Sequence, residues 1–388
     1  MKMRLRRLPV AVIGAAAAIL LGLHSSSASA AESSVGRVVA TGNMTVARFS
    51  HTATLLPNGK VLIAGGMARN GVVEGTAELY DPAAGRFTSL GKLQSPRGWG
   101  STATLLPNGK VLIAGGASGS WCSMSCYLAS AELYDPATNT FTSTGNMTRP
   151  RASAFAVLLR NGDVLIAGGE GDVGNNSLAG AELYHASQGV FTATGGMSKS
   201  NEVRAAVLLK SGKVLVVGGV NGGEEATAAA GETLGEIYDP STGRFTLSGK
   251  MITPRTKVGT TLLPDGRVLI AGGQIDGAQG QRIATSEIYD PASGAFTSGP
   301  TMNFKRYKFK NGIVALGNGL ILVAGGADQP EVYNPASGLF QAATPGSKLD
   351  GFCYSTTTLL TNGEVLLVGG YGYHPGDGAV NHAWLYKP

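Results

Sequence analysis

The chain has 388 residues, of which 14% are charged and 43% hydrophobic, and it contains 58 glycines. Lys and Arg number 31 against 25 Asp and Glu, but four of the basic residues stand in the first seven positions, so beyond them the balance is 27 minus 25, or +2. That balance, with no concentrated Lys/Arg stripe, excludes the electrostatic footprint of a nucleic-acid binder, and the glycine-rich composition describes many short strands joined by tight turns rather than long amphipathic helices.

In chain order, Lys2, Arg4, Arg6 and Arg7 precede an apolar and small-residue stretch from Val10 to Leu23, followed by Ala28-Ser29-Ala30. This is the order of a cleavable secretory signal, and the apolar stretch is short of the roughly twenty residues a bilayer span needs. Residues 1–30 are therefore expected to be a signal peptide and 31–388 one folded domain, secreted or periplasmic, with no membrane span. Next, Gly36-Arg37-Val38-Val39-Ala40-Thr41-Gly42-Asn43-Met44 has the same pattern as Gly85-Arg86-Phe87-Thr88-Ser89-Leu90-Gly91-Lys92-Leu93.

Diglycines that end an apolar run follow at Gly65-Gly66, Gly115-Gly116, Gly168-Gly169, Gly218-Gly219, Gly272-Gly273, Gly325-Gly326 and Gly369-Gly370, spaced by 50, 53, 50, 54, 53 and 44 residues. In the second copy, Ala103-Thr104-Leu105-Leu106 reads as a buried strand and Pro107-Asn108-Gly109-Lys110 as a hairpin turn whose Asn-Gly pair supplies positive φ. Val111-Leu112-Ile113-Ala114 is a second strand, Ala131-Glu132-Leu133-Tyr134 a third, Asp135-Pro136 a turn, and Phe141 opens a fourth. Seven copies of a four-stranded unit with a period near fifty resemble the kelch family. The resemblance rests on the diglycines, on the third-strand tyrosines (Tyr80, Tyr134, Tyr184, Tyr238, Tyr289, Tyr333, Tyr386) and on the fourth-strand phenylalanines (Phe87, Phe141, Phe191, Phe245, Phe296, Phe340), which stand where the family usually has Trp. It implies an all-β, seven-bladed β-propeller. The last copy ends at Tyr386-Lys387-Pro388 without a fourth strand, so residues 37–43 are expected to complete blade seven by pairing with 382–386.

The fold alone assigns no activity. The resemblance implies that the loops between strands two and three, and those leading into strand one, share one face of the ring. Residues that the repeat does not require gather in those loops: Tyr127, Tyr307, Tyr354, Tyr371 and Tyr373; Trp99 and Trp121; His51, His374 and His382; and Cys122, Cys126 and Cys353. Ligand binding is accordingly expected on loops 67–76, 117–130, 274–285 and 371–381, centred where blades seven, one and two meet. Arg48, His51, Arg97 and Trp99 would line the channel mouth, with Trp121, Tyr127, Tyr354, Tyr373 and His374 as the outer wall. Arg48, Arg97, Arg151 and Arg255 also suit salt-bridging within the propeller, the alternative to anion binding.

Cys122 and Cys126, close together in an exported chain, suit a local disulfide, leaving Cys353 as a small buried apolar residue. Phe352-Cys353 also resembles the setting of the cysteine that galactose oxidase and its relatives cross-link to a copper-ligating tyrosine. The slot for that tyrosine in the following blade reads Arg48-Phe49-Ser50, Tyr354-Ser355 lacks the family's Tyr-His pair, and Tyr373-His374 sits in a different loop. The expected function is thus an extracellular binding module, monomeric and without a cofactor, for a glycan or protein ligand. A copper-radical oxidase or another secreted carbohydrate-active enzyme is the alternative.

Overall fold

The computed structural model describes residues 35–388 except 69–70, 120–125, 172–176, 201–204, 220–232, 276–280, 310, 345–348, 351–352 and 373–377. Among the described residues lie seven antiparallel four-stranded sheets and one two-stranded ribbon, Gln274–Ile275 with Gln281–Arg282. Blade one runs from the innermost strand Thr52–Leu55 through Val61–Ala64 and Thr76–Asp81 to the outermost Arg86–Lys92. The innermost strands of successive blades are neighbours, and Thr356–Leu359 of blade seven packs back on Thr52–Leu55, so the ring is closed.

Blade seven takes its outermost strand from the other end of the chain. Arg37–Ala40 pairs antiparallel with Ala383–Lys387, Arg37 opposite Lys387 and Ala40 opposite Trp384. The register matches the sequence expectation, and Val38 is buried in the core that blade seven shares with blade six.

Each second strand is apolar on both faces, and Val61–Ala64, Val164–Ala167, Val214–Val217, Val268–Ala271 and Val365–Val368 are buried throughout. The core these strands serve is divided. Seven apolar clusters each combine residues of two adjacent blades, as where Val61, Ile63 and Tyr80 of blade one meet Leu366, Val368 and Leu385 of blade seven. A blade therefore cannot bury its own faces alone, and only the complete ring satisfies every sheet.

The repeated residues that identify the blade all make ties. Third-strand tyrosines stack on the phenylalanine of their own fourth strand, with ring centroids 4.8 Å apart for Tyr80 and Phe87 and 4.7 Å for Tyr289 and Phe296. Several also reach a hydroxyl at the outer end of the preceding blade: Tyr80 to Thr41 at 2.8 Å, Tyr184 to Thr144 at 2.8 Å and Tyr238 to Thr194 at 2.9 Å. At the diglycine both residues are left-handed, φ 65° and 96° at Gly65 and Gly66, a conformation that costs L side chains energy. The second glycine uses it to donate its N–H to the next blade: Gly66 to the carbonyl of Arg97 at 2.8 Å, Gly116 to that of Arg151 at 2.9 Å, and Gly370 to that of Arg48 at 2.9 Å.

Candidate functional site

The arginines that precede the first strands are the first test of the expected channel mouth. Arg48 and Arg97 are 0% and 1% exposed, and Arg151, Arg255 and Arg306 are equally enclosed. Each guanidinium meets the glutamate of its own third strand: Arg48 with Glu78 at 2.8 Å, Arg97 with Glu132 at 2.8 Å, Arg151 with Glu182 at 2.7 Å, Arg255 with Glu287 at 2.9 Å and Arg306 with Glu331 at 2.9 Å. Nη1 donates to the carbonyl of the first diglycine residue in every case, from Gly65 at 2.9 Å to Gly325 at 2.8 Å. Burial pulls Arg97, Arg151 and Arg255 below the ordinary guanidinium value, with the paired carboxylate opposing it. The expectation that Arg48 and Arg97 contact a ligand is corrected: both are internal struts, because a buried guanidinium needs a counter-charge and acceptors and the blade supplies them.

His51 is likewise turned inward. It is 2% exposed, its Nε2 lies 3.0 Å from Thr356 Oγ1 of blade seven, and burial, helped by the charge of Arg48, drops its pKa to about 3. It is a neutral wedge between blades one and seven and not a solvent-facing contact. Of the outer wall, Trp121, Tyr373 and His374 lie outside the described residues, as does Cys122. Cys126 is disulfide-bonded, and Cys353 is a buried thiol outside any disulfide.

The remaining residues form two groups on the loop face. In blades two and three, Trp99 meets Tyr127 edge-on at 5.8 Å, and Tyr127 Oη donates to Glu170 Oε2 at 2.9 Å. The second group spans blades five to seven and one, around Lys308. Its Nζ donates to Tyr371 Oη at 2.7 Å and sits 5.0 Å, 5.2 Å and 5.4 Å from the ring centroids of Tyr307, Tyr354 and Tyr371. Arg282 lies over the Tyr307 ring at 4.7 Å, and Phe49 meets Tyr371 edge-on at 5.0 Å. Burial raises all three phenols above the ordinary tyrosine value, so they remain protonated at neutral pH.

Backbone geometry brings these side chains to the mouth. Ser50, Ser153, Lys257, Lys308 and Tyr354, two residues before or just ahead of their first strands, all have positive φ between 52° and 59°. They are linked around the ring: Ser50 N–H donates to the Tyr354 carbonyl at 3.0 Å, and Tyr354 N–H to the Lys308 carbonyl at 3.0 Å. Left-handed non-glycine residues are uncommon and concentrate where function over-determines the backbone. The described cluster is therefore centred on blades six and seven, one blade away from the expected centre. Lys308 and Arg282 escaped the sequence reading because lysine and arginine are unremarkable in loops, and Lys257 holds the equivalent position in blade five.

The geometry and the repeat together define a seven-bladed β-propeller with kelch-type blades. Blade two carries the match to the family model described as Kelch motif, over residues 101–148. Among solved structures the chain is similar to a fungal alcohol oxidase of the AA5 family determined with copper, at 17% identity and a TM-score of 0.71, covering 91% of this chain and 76% of that one. No curated protein matches the chain. The likeness establishes the fold. The described residues do not fit copper: the tyrosines surround the Lys308 ammonium, which repels a cation, and none of the described imidazoles completes a donor set of the kind copper takes. His51 faces Thr356, His185 pairs with Asp163 at 3.1 Å and His382 with Asp350 at 2.5 Å. Among the described residues no three His, Cys, Asp or Glu side chains are grouped to hold a metal.

Proposed function

We propose that the propeller is an exported binding module that takes a glycan or protein ligand on the loop face, at the mouth bounded by Lys308, Tyr307, Tyr354 and Tyr371 on one side and Trp99, Tyr127 and Glu170 on the other. The observation that carries this reading is the Lys308 ammonium held among three half-buried tyrosines by a ring of left-handed backbone. Rigid aromatic faces with a few fixed polar groups are what a saccharide or small amphipathic ligand uses. Trp121, Tyr373 and His374 belong to the same proposal as further contacts, and the Cys122–Cys126 bridge as the staple of the blade-two loop. Export is supported by the basic, apolar and small-residue order of the first thirty residues and by the disulfide at Cys126, a bond of oxidising compartments. No helix among the described residues is long and apolar enough to cross a membrane.

The test begins with glycan and protein arrays probed with the mature chain. Tyr371→Ala and Trp99→Ala are then expected to weaken binding of the hit by about 1 to 3 kcal/mol each, the scale of a contact residue. Unchanged affinity in both, with a loss on altering the hairpin turns of the opposite face such as Asn58-Gly59, would place the site on the wrong side of the ring.

A further inference from the structure

We infer that the ligand of this mouth is an anionic saccharide, one bearing a carboxylate on the sugar ring, and that Lys308 is the residue that selects it; the inference rests on the binding reading above. Many of the molecule's cations meet a carboxylate. Five blades pair their buried arginine with a glutamate. On the surface, Lys60 pairs with Asp81 at 3.0 Å, Lys110 with Asp135 at 3.0 Å, Lys213 with Asp239 at 2.9 Å and Lys387 with Glu364 at 2.9 Å. Lys308 does not, and unlike the exposed Lys210, whose Nζ donates to the Pro264 carbonyl at 2.6 Å, it is half-buried. Its ammonium has three protons to donate, its hydrogen bond goes to the neutral Tyr371 hydroxyl at 2.7 Å, and its other neighbours are the faces of aromatic rings. Among the described residues no carboxylate pairs with it.

Lysine is also an awkward residue there. At φ 59° it occupies backbone that favours glycine, a conformation shared by Ser50, Ser153, Lys257 and Tyr354 at the equivalent positions of other blades. A half-buried positive charge on strained backbone, with no carboxylate paired to it among the described residues, suits an anionic ligand. Because Tyr371 Oη accepts from Lys308, its own O–H is left to donate toward an anion, and the Arg282 guanidinium on Tyr307 adds a second positive charge beside it. Glu170 of blade three, whose charge reaches Tyr354, is already engaged by the Tyr127 hydroxyl, which donates to it at 2.9 Å. The aromatic faces favour a ring-shaped hydroxylated molecule over an extended peptide.

The experiment is calorimetric titration of the mature protein with glucuronate-terminated and glucose-terminated oligosaccharides of equal length, and with oligoglutamate as the peptide control. The uronate is expected to bind at least about tenfold more tightly than the neutral sugar, the scale of one charge-assisted hydrogen bond. In Lys308→Met that ratio should fall to about one and in Lys308→Arg it should persist. Lys308→Gly relieves the backbone strain and so keeps the test available if Lys308→Met does not fold; it too should lose the preference. Equal binding of the two sugars, or a preference that survives in both Lys308→Met and Lys308→Gly, overturns this inference and leaves the binding site standing. Oligoglutamate binding that depends on Lys308, without saccharide binding, overturns the sugar assignment. Neutral and acidic sugars that both bind with no sensitivity to Tyr371→Ala or Trp99→Ala would instead sink the location proposed for the site.

Discussion

Removing Glu132 tests the buried struts directly. Arg97 Nε lies 2.8 Å from Glu132 Oε1, and Glu132 Oε2 also accepts the Gln94 N–H at 2.8 Å. In Glu132→Ala the guanidinium keeps the carbonyls of Gly115 and Ser130 as acceptors but loses its counter-charge in a place closed to water. Breaking one partner of a buried pair costs about 3 to 5 kcal/mol. With an unfolding entropy of roughly 2.1 cal/mol/K per residue over Ser34–Pro388, this lowers Tm by about 4 to 7 °C. Blade seven shows what an apolar replacement looks like: Trp384, opposite Leu367, stands where Glu78 stands opposite Ile63, and it is 7% exposed in the core shared with blade six. By sequence, Phe352 holds the arginine slot of that blade. Arg97→Met combined with Glu132→Leu is therefore expected to recover most of the loss, as charge-free repacking of buried pairs often does. Scanning calorimetry on the parent, Glu132→Ala and the double variant is the assay. A Glu132→Ala protein that melts within about 1 °C of the parent, or a double variant no better than the single, would refute the strut reasoning; ligand affinity lost in step with the salt bridge would restore Arg97 to the binding site.

Acid should loosen the seam between blades one and seven. His51 is neutral in the fold with a pKa of about 3 against an ordinary 6.5, so the unfolded chain binds the extra proton; the stability His51 contributes is intact above pH 6.5 and declines as pH falls toward 3. Thermal melts of His51→Gln across that range should show a shallower decline, and an identical slope would clear His51 of the effect. Deleting residues 35–43 removes the outer strand of blade seven and exposes the edge of Ala383–Lys387; lower stability with concentration-dependent aggregation in light scattering is the expected result, and a monomeric product of parental Tm would refute it. Thiol labelling of the denatured, unreduced mature protein should modify Cys353 and spare the other two cysteines, whereas three labelled thiols would break the proposed Cys122–Cys126 bridge.

The architecture was readable because a propeller is written as a repetition. Diglycines, third-strand tyrosines and Asn-Gly turns recur in phase, and the orphan fourth-strand pattern at Gly36 to Met44 announced how blade seven is closed before any strand was paired. Each of those signals is local, since a left-handed turn or an alternating strand is dictated by a few adjacent residues. Clustering of rare residues also pointed to the loop face, and Trp99 with Tyr127, and Tyr354 with Tyr371, are indeed neighbours there. The roles of the charged residues were another matter. Arg48 and Lys308 are both basic residues just ahead of a first strand, yet sequence alone offered Arg48 as an anion contact and passed over Lys308. Two residues of separation decide between them: the side chain of Arg48 enters the blade, where Glu78 and the Gly65 carbonyl await it, and Lys308 sits on the left-handed residue at the mouth, with tyrosines from two blades around it. What a cation does depends on which groups from distant parts of the chain surround it, and Glu78 lies 30 residues from Arg48 while Tyr371 lies 63 from Lys308. Repetition along the chain determined the ring; only closure of the ring in three dimensions decided that Arg48 is paired inside a blade and that Lys308 stands among tyrosines at the mouth.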